Sequence, residues 1–205
     1  MLDYKHVFCY YGLKKNVSLI KGGDYNMERL FQGDLMALSP EYVDSKGNCT
    51  LVYMKNTEPF VIERTIRSVI KIIAKHYMLD LKELKKRYKA LISSQNLIPI
   101  PLSKNDIFIP FKTRVPICKN DGALSYVNMR YIRGIKDNSE YRIINLNNEI
   151  NIKCLSSLSS MENHIRNGNV ICRCYEDSFM KVSEDEEYYS IMIPAKMINL
   201  IKSKN

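Results

Sequence analysis

Arg64, Arg67, Lys71 and Lys75 recur at three- and four-residue spacing in the run VIERTIRSVIKIIAKHYM, and Lys82, Lys85, Lys86 and Lys89 follow in the next stretch. At about 100° per residue, the first four fall opposite the apolar stripe of a helix that begins near Ile62, and the second four share one arc of a second helix. Residues 62–92 hold nine basic and three acidic residues, net +6, against +9 for the whole chain. Solvated helix faces usually mix signs at i, i+4 spacing, so like charges stacked on one face carry a small stability cost that a polyanion would relieve. The chemistry these residues suit is phosphate neutralisation with release of counterions.

Other residues suit other chemistries. Cys154, His164, Cys172 and Cys174 are four potential metal ligands, but Cys172-Arg173-Cys174 has one intervening residue where zinc sites use two or more. On a strand that spacing puts both thiols on one face with Val170, which suits a core, so no metal or other cofactor is expected. Asp106, Glu149 and Lys153 could be assembled into a magnesium-dependent nuclease-like site, although no spacing compels it. The chain lacks G-x-S-x-G, G-x4-G-K-[ST], G-x-G-x-x-G and H-E-x-x-H, so an enzyme is not expected. Fourteen tyrosines and no tryptophan are present, and Tyr126, Tyr131 and Tyr141 fall on strand-like segments beside Arg130, Arg133 and Arg142. Interleaved rings and cations of that kind stack single-stranded bases, which makes a single-stranded nucleic-acid or RNA-binding module the alternative reading. His76 lies near the buried stripe of its helix and is expected to pack.

The elements that must position these groups follow from periodicity. Residues 49–55 alternate and read as a strand, with a second short strand through residues 59–62. Ile62, Ile66, Val69, Ile70, Ile73 and Tyr77 form the buried stripe of the first helix. Asp80 and Glu83 open the second, whose stripe is Leu81, Leu84, Tyr88 and Leu91. Beyond Ile98 come strand signals in IPIPL, DIFIPF, RVPIC, LSYVNMRYI, YRIINL and EINIKCL, with turns at Asp121-Gly122 and Asn147-Asn148. SSLSSMENHIRNG predicts a short helix stopped by Gly168, VICRCY and YYSIMI predict strands, and PAKMINLIKSK predicts a closing helix. The expected fold is one α+β domain over residues 1–205, mainly antiparallel strands with an inserted amphipathic helical pair at 62–92 and a C-terminal helix. An acidic loop at 176–187, net −5, is placed to compete for the basic surface or to recruit a regulatory protein partner.

Composition sets the outer bounds. Hydrophobic residues make up 45% and charged residues 26%, which excludes wholesale disorder. No apolar run approaches the roughly 20 residues of a membrane span, and Asp3, Lys5 and His6 interrupt the opening segment where a secretory signal needs an apolar stretch. A soluble, cytoplasmic protein without membrane contact is expected, with its six cysteines as free and largely buried thiols. Lys+Arg 31 against Asp+Glu 22 points to an anionic partner.

The order of segments from Thr50 to Arg166 resembles the competence transcription factor family, the ComK proteins of Gram-positive bacteria. The matching positions are Pro99-Ile100, Ile109-Pro110, Asn147-Asn148 and the run from Ser156 to Asn163. The resemblance implies binding of double-stranded DNA, activation of transcription, self-association into a homo-oligomer, and preference for A/T-rich sites approached through the minor groove. On that expectation the two helical sets of cations contact phosphate. Lys112 and Arg114, just beyond the Ile109-Pro110 step, are then the candidates for groove contact, Arg114 as the reader of a narrow A/T tract.

Overall fold

The computed structural model describes residues 28–31, 34–92, 97–138 and 141–192. Strand β1 (Leu35–Val43) turns through Ser45 and Gly47, at φ 62° and 74°, and returns as β2 (Gly47–Met54) with Leu38 opposite Val52 and Tyr42 opposite Asn48. β3 (Phe60–Ile62) pairs with β2 and forms one edge of the sheet. Helices α1 (Ile66–His76) and α2 (Leu81–Lys89) then carry the chain to the far edge. There β4 (Ile100–Ser103), β5 (Asp106–Lys112) and β6 (Leu124–Asn128) work back to the centre, giving the order β3-β2-β1-β6-β5-β4 with every neighbour antiparallel. A 3-10 turn at Met129–Tyr131 leads into a second antiparallel sheet of β7 (Ile132–Asp137), β8 (Arg142–Leu146) and β9 (Asn151–Cys154), and α3 (Leu158–Met192) follows. The fold is α+β.

Strand alternation decides what covers each face of the large sheet. Val52, Met54, Phe60, Ile62 and Phe108 point to one side and bury against Ile66, Val69, Ile70 and Ile73 of α1. Leu51, Tyr53, Val61, Ile109 and Phe111 point to the other and bury against Ile144, Leu146 and Ile152 of the small sheet and Met161 of α3. At the β4 edge, Leu84 and Tyr88 of α2 meet Ile107 and, from α3, Ile171. Emptying any one of these fully buried positions to Ala would cost roughly 2–5 kcal/mol, so both layers are required.

Several sequence expectations are corrected. Ile62 belongs to β3, and α1 starts only after Thr65, whose Oγ1 accepts the Ser68 amide at 3.3 Å; Arg64 therefore lies outside the helix. LSYVNMRYI is not one strand: Asn128 caps the 3-10 turn and the chain changes sheets there. VICRCY and residues 188–192 are helical, as is 176–187, because α3 runs on through Gly168. Gly168 is a close-approach glycine instead of a stop. A Cβ there would lie 2.9 Å from Ile109 Cδ1 and 3.1 Å from Met129 Sδ, so its absence lets α3 lie against β5. The closing helix expected from Pro194 onward falls outside the described residues.

Candidate nucleic-acid interface

The cationic surface is built by two caps and two buried stripes. Thr65 starts α1, and burial of Ile66, Val69, Ile70, Ile73 and Ala74 fixes its rotation on the sheet. Arg67, Lys71 and Lys75 are exposed as a result. Asp80 starts α2 by accepting the amides of Lys82 and Glu83 at 2.7 and 3.2 Å, and burial of Leu84 and Tyr88 leaves Lys82, Lys85, Lys86 and Lys89 exposed. Arg64 is exposed in the turn before α1, held by its own carbonyl, which accepts the Thr50 hydroxyl at 2.8 Å. Of these eight cations only Lys86 faces a carboxylate among the described residues, Glu83 at 3.9 Å, with both side chains largely in solvent. An exposed pair of that kind is worth little. Arg87, which falls outside the arc shared by the four lysines, is exposed in the same helix with its guanidinium 5.7 Å from the Tyr88 ring centroid.

Lys112 ends β5 in the same parity as Phe108, which packs under α1, so it leaves the sheet on the helical side and is exposed. The positive charge of Arg67 acts on Tyr126 of β6, although burial is the larger influence and pushes that phenol's pKa up. Arg67 and Lys112 thus share the α1 side of the large sheet, while α2 carries its lysines at the β4 edge, over Ile107 and Ile171.

Arg114 does not join them. Expected to enter a DNA groove as the reader of an A/T tract, it is 7% exposed. Its Nε donates to the Gly122 carbonyl at 2.6 Å, an Nη donates to Asn48 Oδ1 at 2.7 Å, and the guanidinium lies 4.0 Å from the Tyr42 ring centroid. Burial pulls its pKa down, opposed by Tyr42, Asp121 and Glu41. Asp121 completes the cluster, accepting from Tyr42 Oη at 2.5 Å, the Cys118 amide at 3.1 Å and Asn48 at 3.2 Å. The Tyr42 bond does most to hold its carboxyl below the usual carboxylate range. The cluster pins residues 115–123 across the end of the β1–β2 hairpin. In this fold Arg114 is a structural cation.

The tyrosine platform is likewise dispersed. Tyr131 is 3% exposed and hydrogen-bonded to Arg130, Tyr126 is half-buried on the large sheet, and Tyr141, just before β8, has Lys153 Nζ 3.7 Å from its ring centroid. Arg130 pairs with Asp34 at 2.8 Å, Arg142 with Asp137 at 2.8 Å, and Arg133 donates to Asn147. The nuclease-like trio is split as well. Asp106 on the large sheet accepts Ser103 at 2.6 Å and Asn128 at 2.8 Å, whereas Glu149 lies in the 3-10 turn between β8 and β9 and Lys153 on β9. Among the described residues no three His, Cys, Asp or Glu side chains gather to hold a metal. His164 is buried, 3.2 Å from Ser160 Oγ and edge-on to Phe111, and burial lowers its pKa. His76 is exposed instead of packed in the core, stacked on Phe31 at 3.8 Å.

The model of the ComK protein family matches residues 30–179, which takes in both sheets and the helical pair. The chain belongs to the ComK family. No curated protein and no solved structure matches it. ComK proteins are competence transcription regulators, and the cationic pair α1–α2 lies wholly inside the matched span. Among the described residues no helix is long and apolar enough to cross a membrane.

Proposed function

We propose that this ComK relative is a DNA-binding transcriptional activator that grips duplex phosphates with α1, α2 and Lys112 and prefers A/T-rich sites. The observation that carries this is the uncompensated charge. Arg64, Arg67, Lys71, Lys75, Lys82, Lys85 and Lys89 are exposed and without a carboxylate partner among the described residues. Repulsion between them is relieved when phosphates take the place of counterions. Self-association of the chain belongs to the same reading by way of the family, and a regulatory protein partner by way of the acidic run 176–187.

The test is a competition gel with duplex DNA, single-stranded DNA and RNA, with and without magnesium, repeated over a salt series. Duplex is expected to compete best and without magnesium. Each phosphate contact adds about −0.9 to the log–log salt slope, so five to eight contacts give a slope of roughly −5 to −7. A slope near zero, or stronger binding of single strands, overturns the proposal. Arg67→Ala should weaken binding by a similar factor on A/T-rich and G/C-rich duplexes, since a phosphate contact carries no base information.

A further inference from the structure

Resting on the duplex-binding reading above, we propose that Met78 is an apolar wedge that enters the DNA at a base step, between phosphate contacts made by α1 and α2. Helix α1 ends in a Schellman turn: the Leu79 amide donates to the Ala74 carbonyl at 2.8 Å and the Met78 amide to the Lys75 carbonyl at 3.1 Å. The turn forces a left-handed residue at position 78, where φ is 54°. Glycine, or failing that asparagine, is the usual occupant, because a Cβ is disfavoured there. Here the occupant is a long apolar side chain, 95% exposed, more than any other large hydrophobic among the described residues. Local backbone preference and burial both argue against methionine at this point, so the fold gives no reason for it. Breaches of local preference of this kind concentrate where a chain meets a ligand.

The surroundings say which ligand. Lys75 in the last turn of α1 and Lys82 in the first turn of α2 are exposed on either side of the tip, with His76 beside them. The acid in the turn, Asp80, is engaged by the amides of Lys82 and Glu83. An apolar tip between cations fits a polyanion with an apolar interior. A duplex offers that between stacked bases, and methionine is among the side chains that wedge open a step from the minor groove. Pyrimidine–purine steps such as TA open most readily, so the wedge discriminates by deformability, without base hydrogen bonds. That supplies a source of sequence preference now that Arg114 is withdrawn from the groove. An anionic lipid surface is the other candidate, but one methionine buries too little apolar area to anchor a protein.

The test uses the full chain and two 20-base-pair duplexes of equal composition, one with a central TA step carrying 2-aminopurine and one with that step replaced by AA. Met78→Gly and Met78→Asn relieve the backbone, so thermal stability should be unchanged or higher. Both should lose about tenfold in affinity for the TA duplex, in keeping with loss of a buried apolar side chain, and should lose the 2-aminopurine fluorescence rise that reports unstacking. Met78→Leu should keep both. If the wild type binds duplex with steep salt dependence and Met78→Gly binds and unstacks equally, the wedge is refuted while duplex binding stands. If the wild type binds neither duplex, both fall. Loss of binding to phosphatidylserine vesicles in Met78→Gly, with DNA binding intact, would assign the tip to lipid and overturn the wedge.

Discussion

Replacing Arg114 by alanine should unfold the protein more readily and leave intrinsic DNA selectivity alone. The side chain gives two short hydrogen bonds, to Gly122 and Asn48, and stacks on Tyr42. Hydrogen bonds from a charged donor are worth about 1.5–3 kcal/mol each, and a desolvated cation–π contact about 1–2 kcal/mol. Against that stands the release of a desolvated guanidinium whose second Nη is buried without a partner, which returns several kcal/mol. The net loss is about 3 kcal/mol, and at ~2–4 °C per kcal/mol for a chain of this size Tm falls by roughly 6–12 °C. The damage should spread to α1, because Gly122 sits so close to Ile66 that a Cβ there would be 2.7 Å from its Cγ2. Urea and thermal melts followed by circular dichroism measure the loss, with exposed Arg67→Ala as a control that shifts Tm by no more than about 2 °C. Arg114→Lys should not rescue, since an ammonium cannot reproduce the planar fork. An Arg114→Ala protein with unchanged Tm and weaker binding to A/T-rich duplex would refute the structural role and restore the residue to the groove.

Three further outcomes are expected. Burial holds the His164 pKa below its ordinary 6.5, so the unfolded chain takes the proton first and stability falls as pH drops through about 6.5 toward the folded value; His164→Leu should flatten that acid limb in melts between pH 7.5 and 5, and an unaltered limb would assign it to other groups. Gly168→Val should lower stability by about 2 kcal/mol through collision with Ile109 and Met129, and a stabilised variant, as helix propensity alone suggests, would show that α3 does not lie so close. Asp80→Ala should cost about 1 kcal/mol in denaturant melts by uncapping α2, and no change would mean the cap is not formed.

What the sequence revealed depended on how many faces an element buries. α1 and α2 each bury one stripe, so their period, their cationic sides and the Asp80 cap of α2 were legible, whereas the Thr65 cap of α1 was not. Ile62 fits the α1 wheel yet belongs to β3, because strand and helix bury the same side of the sheet. β1 escaped notice since Leu35 to Pro40 are buried on both faces and show no alternation. α3 buries Met161, His164, Asn167, Gly168 and Ile171, a helical stripe hidden from a hydrophobicity reading by its histidine, asparagine and glycine. The β-branched and cysteine-rich VICRCY then passed for a strand. At the site, charge and spacing identified exposed cations but could not show that Arg114 folds inward onto Asn48 and Tyr42, residues more than 60 positions away. Nor does sequence carry the left-handed φ at Met78.

The large sheet is two three-stranded meanders, β1-β2-β3 and β4-β5-β6, zipped together where Ala37 and Leu38 of β1 meet Val127 and Tyr126 of β6. Within each half the pairings are local in the chain. The zipper closes a loop of some ninety residues, so it carries the entropic burden of folding and belongs late in the sequence of events. Polar side chains line it: Ser125 donates to Ser39 at 2.9 Å, and Asn128 reaches the Leu35 carbonyl at 3.1 Å. The covalent link across this junction is α1–α2 itself. If a polyanion binds those helices, as proposed above, it stabilises the closed arrangement of the two halves by mass action, and slower amide exchange along β1 and β6 is the expected sign.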